Sequence, residues 1–194
     1  MTEEHFIFPL GTVLFPGAAL PLKIFEQRYL EMTKTCLRDN RPFGVCLIRE
    51  GREVGDPALP EAIGCLATIE EWDMPQMGLF QLLCRGGDRF RLLDSHAAKN
   101  GLITGVVERL PADAPGDVDD ACRRILEAII ERVDVSRFEK PFHLDDASWV
   151  GFRLAEVLPL DMGVKQELLE MTEAAQRLSR IRALLTEEGV IGRS

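Results

Sequence analysis

The spacing of the apolar residues changes once along this chain, at the stretch Pro111–Gly116, and this change restricts the possible folds more than any other feature. Before the stretch, apolar residues occur in runs of four to nine residues bounded by Gly, Pro or Asp. Such runs are typical of β-strands. After it, apolar residues recur every three or four positions, as in helices. A β-rich part over residues 1–112 followed by a helical part over residues 113–194 predicts the α+β class.

Short segments rich in β-branched, aromatic or leucine side chains are the predicted strands of the first part. They are His5–Phe8, Leu20–Ile24, Phe43–Ile48, Ile63–Glu70, Leu79–Arg85, Arg89–Leu93 and Leu102–Leu110. The segments Asp73–Gly78 and Gly86–Asp88 are predicted hairpin connections, and Pro16-Gly17 suits the centre of a type II turn. Many short strands at near-regular spacing predict an antiparallel pseudo-barrel.

Helical spacing occurs once inside the first part and throughout the second. Tyr29, Met32 and Cys36 predict one helix at about residues 26–39. The second part predicts a bundle of about four helices joined by short loops. Asp117 is the expected N-cap of the first helix, and Asp145 or Asp146 precedes the second helix at about 147–158. The third helix is expected at 164–171, and the fourth at about 173–188 with Gly189 after it.

The net charge of −9 comes from 32 acidic and 23 basic residues, so the chain as a whole is repelled by phosphate backbones. The longest basic run is Arg123-Arg124. Arg85, Arg89 and Arg91 alternate with other residues, and we expect them to form the solvated face of a strand. Nucleic acid is therefore not an expected partner.

Neither a targeting segment nor a membrane span is visible in the sequence. The chain begins Met1-Thr2-Glu3-Glu4, which is acidic where a signal peptide is basic, and its apolar runs are too short to cross a bilayer. The five cysteines are widely spaced and include no C-x-x-C pair. We therefore expect a cytosolic protein whose cysteines are buried and inert.

One segment near the start of the chain consists of Phe8-Pro9-Leu10-Gly11, then Phe15-Pro16-Gly17, then Pro21-Leu22-Lys23-Ile24-Phe25-Glu26-Gln27-Arg28-Tyr29. This segment resembles the opening of Lon N-terminal domains. Pro42–Val45, Gly64–Ile69 and Arg85–Arg91 continue the resemblance in the same order. Cys65 stands where the family usually has threonine.

The resemblance implies a β-rich pseudo-barrel followed by helices, used in full-length Lon proteases to engage substrate proteins. None of the five lysines follows a glycine, so a Walker A loop is missing, and the chain ends before a peptidase domain with a Ser–Lys pair. We expect a free-standing, non-catalytic module that binds unfolded or partner proteins and uses no cofactor or metal. An adaptor role in proteolysis or quality control would fit such a module.

The block from Phe15 to Tyr29 is the candidate peptide-binding surface. Its predicted members are Phe15, Leu20, Leu22, Phe25, Glu26, Gln27 and Arg28. Some of the apolar members should remain partly exposed, because alternation along a strand turns only about half of its side chains to the core. Two interpretations stay open, since the apolar members can also belong to the core and Glu26 and Arg28 can form a structural ion pair.

A different class of function is also compatible with this sequence. The chain could be a small-molecule-binding protein or an enzyme that uses a cleft between the β part and the helical bundle. A deep pocket with converging polar groups would favour that alternative, whereas a shallow apolar groove would favour a binding module.

Overall fold

The computed structural model of the chain describes residues 2–132, 138 and 140–191. They divide after Leu110 into two compact units, here called the β unit and the helical unit. The α+β class is confirmed, with strands in the first unit and helices in the second.

The β unit contains a six-stranded sheet and one helix. Its elements are β1 (Thr2–Leu10), β2 (Ala19–Ile24), α1 (Gln27–Asp39), β3 (Phe43–Glu50), β4 (Leu59–Gln76), β5 (Leu79–Ala97) and β6 (Ile103–Arg109). The helix predicted at 26–39 is confirmed, and Glu26 is its N-cap.

Five of the six strands close into a ring. The sheet order is β2-β5-β4-β3-β1-β6, and β5 also pairs with β6. All of these pairings are antiparallel except β1 with β3. The ring closes over a core of Ile7, Cys46, Leu66, Phe90, Ile103 and Val107. The pseudo-barrel is thus confirmed, and β2 lies outside the ring on the first half of β5.

The predicted hairpin at Gly86–Asp88 is wrong, because these residues lie inside β5 and join two predicted strands into one. Gly86 is needed there for a different reason. The loop before β2 crosses directly over it, with Gly17 N–H donating to the Gly86 carbonyl and Gly86 N–H donating to that of Ala18. A Cβ atom on Gly86 would lie 2.1 Å from the carbonyl oxygen of Phe15. Glycine in this strand therefore marks a close approach of two backbones.

Two other turn predictions are confirmed. The Ala18 N–H donates to the Phe15 carbonyl at 3.0 Å, and Gly17 has a φ of 74°, as a type II turn centred on Pro16-Gly17 requires. The connection expected within Asp73–Gly78 is a tight turn at Met77-Gly78. It joins β4 and β5, and both strands are longer than predicted.

The helical unit contains α2 (Asp120–Ile130), α3 (Ala147–Val157), α4 (Met162–Glu170) and α5 (Ala174–Glu187). The N-cap of α2 is Asp119 rather than Asp117, since the Asp119 carboxylate accepts hydrogen bonds from the N–H groups of Ala121 and Cys122. Asp146 caps α3 in the same way. Gly189, with a φ of 70°, follows α5 as expected.

Candidate functional site

The second half of the block Phe15–Tyr29 borders an apolar groove of about 210 Å³ beside β2, here called the β2 groove. It is lined by Phe8, Leu10, Pro21, Leu22, Lys23, Ile24, Phe25, Glu26, Tyr29, Glu53 and Val54. One wall is β2 with the start of α1, and the other is the polar loop between β3 and β4. The groove therefore runs along a strand that, among the described strands, has a neighbour on one side only.

Of the seven predicted site residues, three line the β2 groove, namely Leu22, Phe25 and Glu26. Gln27 and Arg28 line an adjoining polar cavity that also includes Glu26. Leu20 is half-buried and does not belong to either lining. Phe25 is the exposed aromatic member, with 60% of its surface accessible.

The expectation that Phe15 contributes to an exposed surface is wrong. Its surface is 1% accessible, because the turn at Pro16-Gly17 folds this segment onto Gly86 of β5. The sequence resemblance extends over Phe15, but the side chain belongs to the core. The turn that was predicted correctly is thus the reason why this residue is buried.

The floor of the β2 groove is aromatic. The ring of Phe8 lies 4.1 Å from that of Tyr29 and 6.2 Å from that of Phe43, measured between centroids. Burial raises the pKa of the Tyr29 hydroxyl above its ordinary value. The hydroxyl consequently stays neutral at physiological pH, and the floor carries no charge of its own.

Arg28 joins three segments beside the groove. Its guanidinium pairs with the Glu26 carboxylate at 2.9 Å, donates to the Gly101 carbonyl at 3.3 Å and reaches that of Glu53 at 3.5 Å. The side chain is buried, and its Nε has no hydrogen-bond partner among the residues that the structure describes. The expected structural ion pair of Glu26 and Arg28 is confirmed, so Arg28 supports the groove from within.

The adjoining polar cavity, here called the α1 cavity, has a volume of about 390 Å³. Its lining consists of Glu26, Gln27, Arg28, Gly55, Asp56, Pro57, Lys99, Asn100 and Gly101. Two carboxylates and two cations balance the charge of this lining. Neither an anion nor a cation is strongly preferred there.

Val54 completes the exposed part of the groove and was missed by sequence reasoning. It is 60% accessible and faces the groove from the loop between β3 and β4. The Glu53 carboxylate holds this loop by accepting a hydrogen bond from the Gly11 N–H. Val54 and Leu59 are the two large apolar residues of the polar segment Glu50–Glu61, and their presence there was the available signal.

A second exposed apolar group was also missed, at the far end of the hairpin formed by β4 and β5. It consists of Trp72, Met74 and Met77. The alternation of acidic and large apolar side chains in Glu71–Met74 could have indicated an exposed strand.

The cysteines are free and buried, as expected. Burial raises the pKa of the Cys36 thiol to about 11 and those of Cys46, Cys84 and Cys122 to about 12. Such thiols are protonated at neutral pH and are poor nucleophiles. Within the described part of the chain, no group of three or more His, Cys, Asp or Glu residues is placed to hold a metal ion.

The arginines of β5 do not form one solvated face. Arg91 is exposed and Arg85 is half-buried, with the Arg85 guanidinium bound to the Glu70 carboxylate. Arg89 is buried, contrary to expectation. The β4–β5 register is irregular at Cys65–Ala67, and such a bulge changes which side chains face inward.

A family model described as the ATP-dependent protease La (LON) substrate-binding domain matches residues 4–187. The chain belongs to this family. The crystal structure of a Lon N-terminal domain protein from Xanthomonas campestris has the same fold, with a TM-score of 0.76 and 36% identity. The similarity covers 93% of this chain and 98% of that one.

Lon proteases are further relatives. Lon protease 2 of Herpetosiphon aurantiacus is 26% identical over 96% of this chain, and Lon protease of Paraburkholderia phytofirmans is 28% identical over 92%. The Lon-type chain spans about a quarter of the length of these two proteins, 24% in both cases. The N-terminal domain of a Mycobacterium avium complex Lon protease, at 15% identity and a TM-score of 0.64, shares the fold.

Among the helices that the structure describes in this Lon-type chain, none is both long and apolar enough to cross a membrane.

Proposed function

We propose that this Lon-type domain binds extended segments of other proteins in the β2 groove and has no catalytic activity of its own. The observation that carries the proposal is the pair Phe25 and Val54, two large apolar side chains that are each 60% accessible and line the same groove. Exposed apolar side chains that share one concave surface are typical of interaction sites.

The size of the groove supports a peptide rather than a small organic ligand. Its volume of about 210 Å³ is below the roughly 300–1,000 Å³ of small-molecule pockets. Side chains of an extended segment can enter such a groove while the backbone stays outside it. The α1 cavity is large enough for a small molecule, but its charges are balanced and its lining is polar.

The lining residues also support a non-catalytic role. Among the residues that the structure describes around the β2 groove and the α1 cavity there is no Ser, Thr, Cys or His, and the raised pKa of the Tyr29 hydroxyl keeps it protonated. The five cysteines are buried. A nucleophilic mechanism requires an activated group within reach of the substrate.

The names of the relatives suggest the cellular process in which this binding takes part. Two are Lon proteases, and the matching family is named after substrate binding. We propose that the chain recognises proteins as a step in proteolysis or quality control, as an adaptor, in the cytosol. Five free, buried cysteines are typical of a reducing compartment.

The test compares Phe25→Ser and Val54→Ser with the parent chain for binding of fluorescein-labelled, reduced and carboxymethylated α-lactalbumin. We expect each variant to raise the Kd about tenfold, since tenfold corresponds to ~1.4 kcal/mol, which is within the range of one exposed apolar contact. Leu93→Ser is the matched control, because Leu93 is an exposed apolar residue of β5 outside the groove. Unchanged binding by both groove variants, with unchanged melting temperatures, would overturn the proposal.

A further inference from the structure

The hairpin of β4 and β5 extends beyond the ring. The pairing of β4 with β3 ends at Ala67, opposite Phe43, whereas β4 continues to Gln76 on the β5 side. Within the described chain, no strand lies against the other side of residues 70–76 of β4. These residues are all exposed. The outer part of β4 is therefore an open sheet edge, and open edges are sites where further strands add.

Apolar side chains stand at this edge and at the turn beside it. Met77 is 97% accessible and Trp72 is 55% accessible. Trp72 also packs edge-on against Phe80, with 5.8 Å between the ring centroids. Its orientation is thus fixed while half of its surface remains free. Met74 and Met77 are flexible, and methionine adapts to many partner side chains.

The charge of the extension has one sign. Glu70, Glu71 and Asp73 are acidic, and the segment from Thr68 to Cys84 contains no lysine or arginine. Arg85 neutralises Glu70 through bonds from its guanidinium at 3.0 to 3.2 Å. The carboxylates of Glu71 and Asp73 remain on the exposed surface, where one Asp73 oxygen accepts a hydrogen bond from the Met74 N–H at 2.8 Å. A partner with positive charge would match them.

The two kinds of side chain lie on opposite faces of the strand. Glu71, Trp72 and Asp73 pair in regular register with Leu83, Leu82 and Gln81, so successive side chains alternate between the faces. A strand added at the open edge would place alternate residues beside Trp72 on one face. Its remaining residues would lie beside Glu71 and Asp73 on the other face.

We propose that the open edge of β4 binds extended polypeptide segments in which apolar residues alternate with lysine or arginine. Backbone hydrogen bonds to β4 supply the affinity that all extended segments share, and the alternating side chains supply the selectivity among them. The inference rests on the proposed function only in that the partner is a polypeptide. The surface is separate from the β2 groove, although both lie toward the end of β2 where Ile24 pairs with Phe80.

The first test uses two nine-residue peptides, one alternating valine with lysine and the other alternating valine with glutamate. We expect the parent chain to bind the lysine peptide at least tenfold more tightly at low salt, and the difference to shrink at 0.5 M salt, where charges are screened. Glu71→Gln with Asp73→Asn should abolish the preference for lysine. Glu4→Gln with Glu108→Gln is the control, since it removes the same charge from exposed positions on the neighbouring strands β1 and β6.

The second test leaves the protein unchanged and examines strand addition directly. The lysine peptide is N-methylated either at all valines or at all lysines. In an added edge strand only alternate N–H groups point to the neighbour, so one methylated peptide should lose binding and the other should retain it. Equal binding of both methylated peptides and the parent peptide would overturn the inference, as would an unchanged lysine preference in the Glu71→Gln, Asp73→Asn variant.

The two proposals fail separately. The Phe25→Ser variant should still bind the lysine peptide as the parent does, and the Glu71→Gln, Asp73→Asn variant should still bind carboxymethylated α-lactalbumin, which is acidic. Loss of lactalbumin binding in the Phe25 variant together with absent lysine-peptide binding in the parent would keep the groove proposal and reject the edge proposal.

Discussion

Arg177 and Asp113 form an ion pair 2.5 Å long in which neither side chain is accessible to solvent. The same guanidinium donates to the carbonyls of Leu168 and Met171, which belong to the end of α4. It also lies 3.8 Å from the centre of the Phe152 ring. One buried cation thus holds the segment that enters the helical unit, the end of α4 and a side chain of α3.

Arg177→Met should destabilise the protein strongly, because it leaves Asp113 as a buried carboxylate without this partner. Removal of one member of a buried pair costs ~3–5 kcal/mol. The control is Arg180→Met, which removes an exposed pair with Glu167 and should cost ~0–1 kcal/mol. The free energy of unfolding in urea measures both. Equal effects of the two substitutions would contradict the role given to Arg177.

The pair Glu3 and Arg109 should make the stability depend on acidity. Hydrogen bonds from Arg109, and then from His5, lower the pKa of Glu3 from 4.5 to about 2. A carboxylate whose pKa is lowered by folding stabilises the fold above its ordinary pKa, and this stabilisation is lost as the pH falls from 4.5 toward 2. The melting temperature of the parent chain should therefore fall more between pH 5 and pH 3 than that of Glu3→Gln. A Glu4→Gln variant should follow the parent, and identical pH profiles for the parent and Glu3→Gln would refute the effect.

Gly86→Ala should destabilise the β unit by about 1–3 kcal/mol, the range for forced overpacking, because the new Cβ meets the Phe15 carbonyl oxygen at 2.1 Å. Gly87→Ala is the neighbouring control. A Cβ at that position meets the Leu66 oxygen at 3.5 Å, an ordinary contact. Thermal unfolding should separate the two variants clearly, and a Gly86→Ala protein as stable as Gly87→Ala would show that the loop can move away.

Substitution by alanine should reduce the stability of the fold at Phe15 but the binding of protein segments at Phe25. Phe15→Ala removes a buried ring and should cost ~3–5 kcal/mol of stability. Phe25→Ala alters an exposed residue and should change stability by no more than about 0.5 kcal/mol, while weakening the binding of an unfolded protein. If Phe25→Ala unfolds the chain instead, Phe25 belongs to the core and the β2 groove loses its exposed wall.

The contrast between these two phenylalanines shows how far sequence reasoning reaches. Spacing and turn chemistry predicted the strand-rich composition of the first part, the helix at 26–39 and the turn at Pro16-Gly17, because these depend on neighbouring residues. Which phenylalanine is buried depends on Gly86, 71 positions beyond Phe15 in the numbering. Contacts at that separation are not visible in local periodicity.

The same limit explains the joining of two predicted strands into β5. Gly86-Gly87-Asp88 has the composition of a hairpin, but its glycines make room for a crossing backbone. The exposed edge at Trp72 was missed for a related reason. A hydrophobic pattern indicates an amphipathic strand, but it does not say whether a neighbouring strand covers the edge.

β5 is a single strand of 19 residues that belongs to both the closed ring and the open extension. Its first residues pair with β2 and the outer part of β4, and its last residues close the ring against β6. A partner that pulls on the hairpin therefore puts tension on the same backbone that seals the ring. The open extension of the β unit and the closing seam of its ring are therefore parts of one continuous backbone.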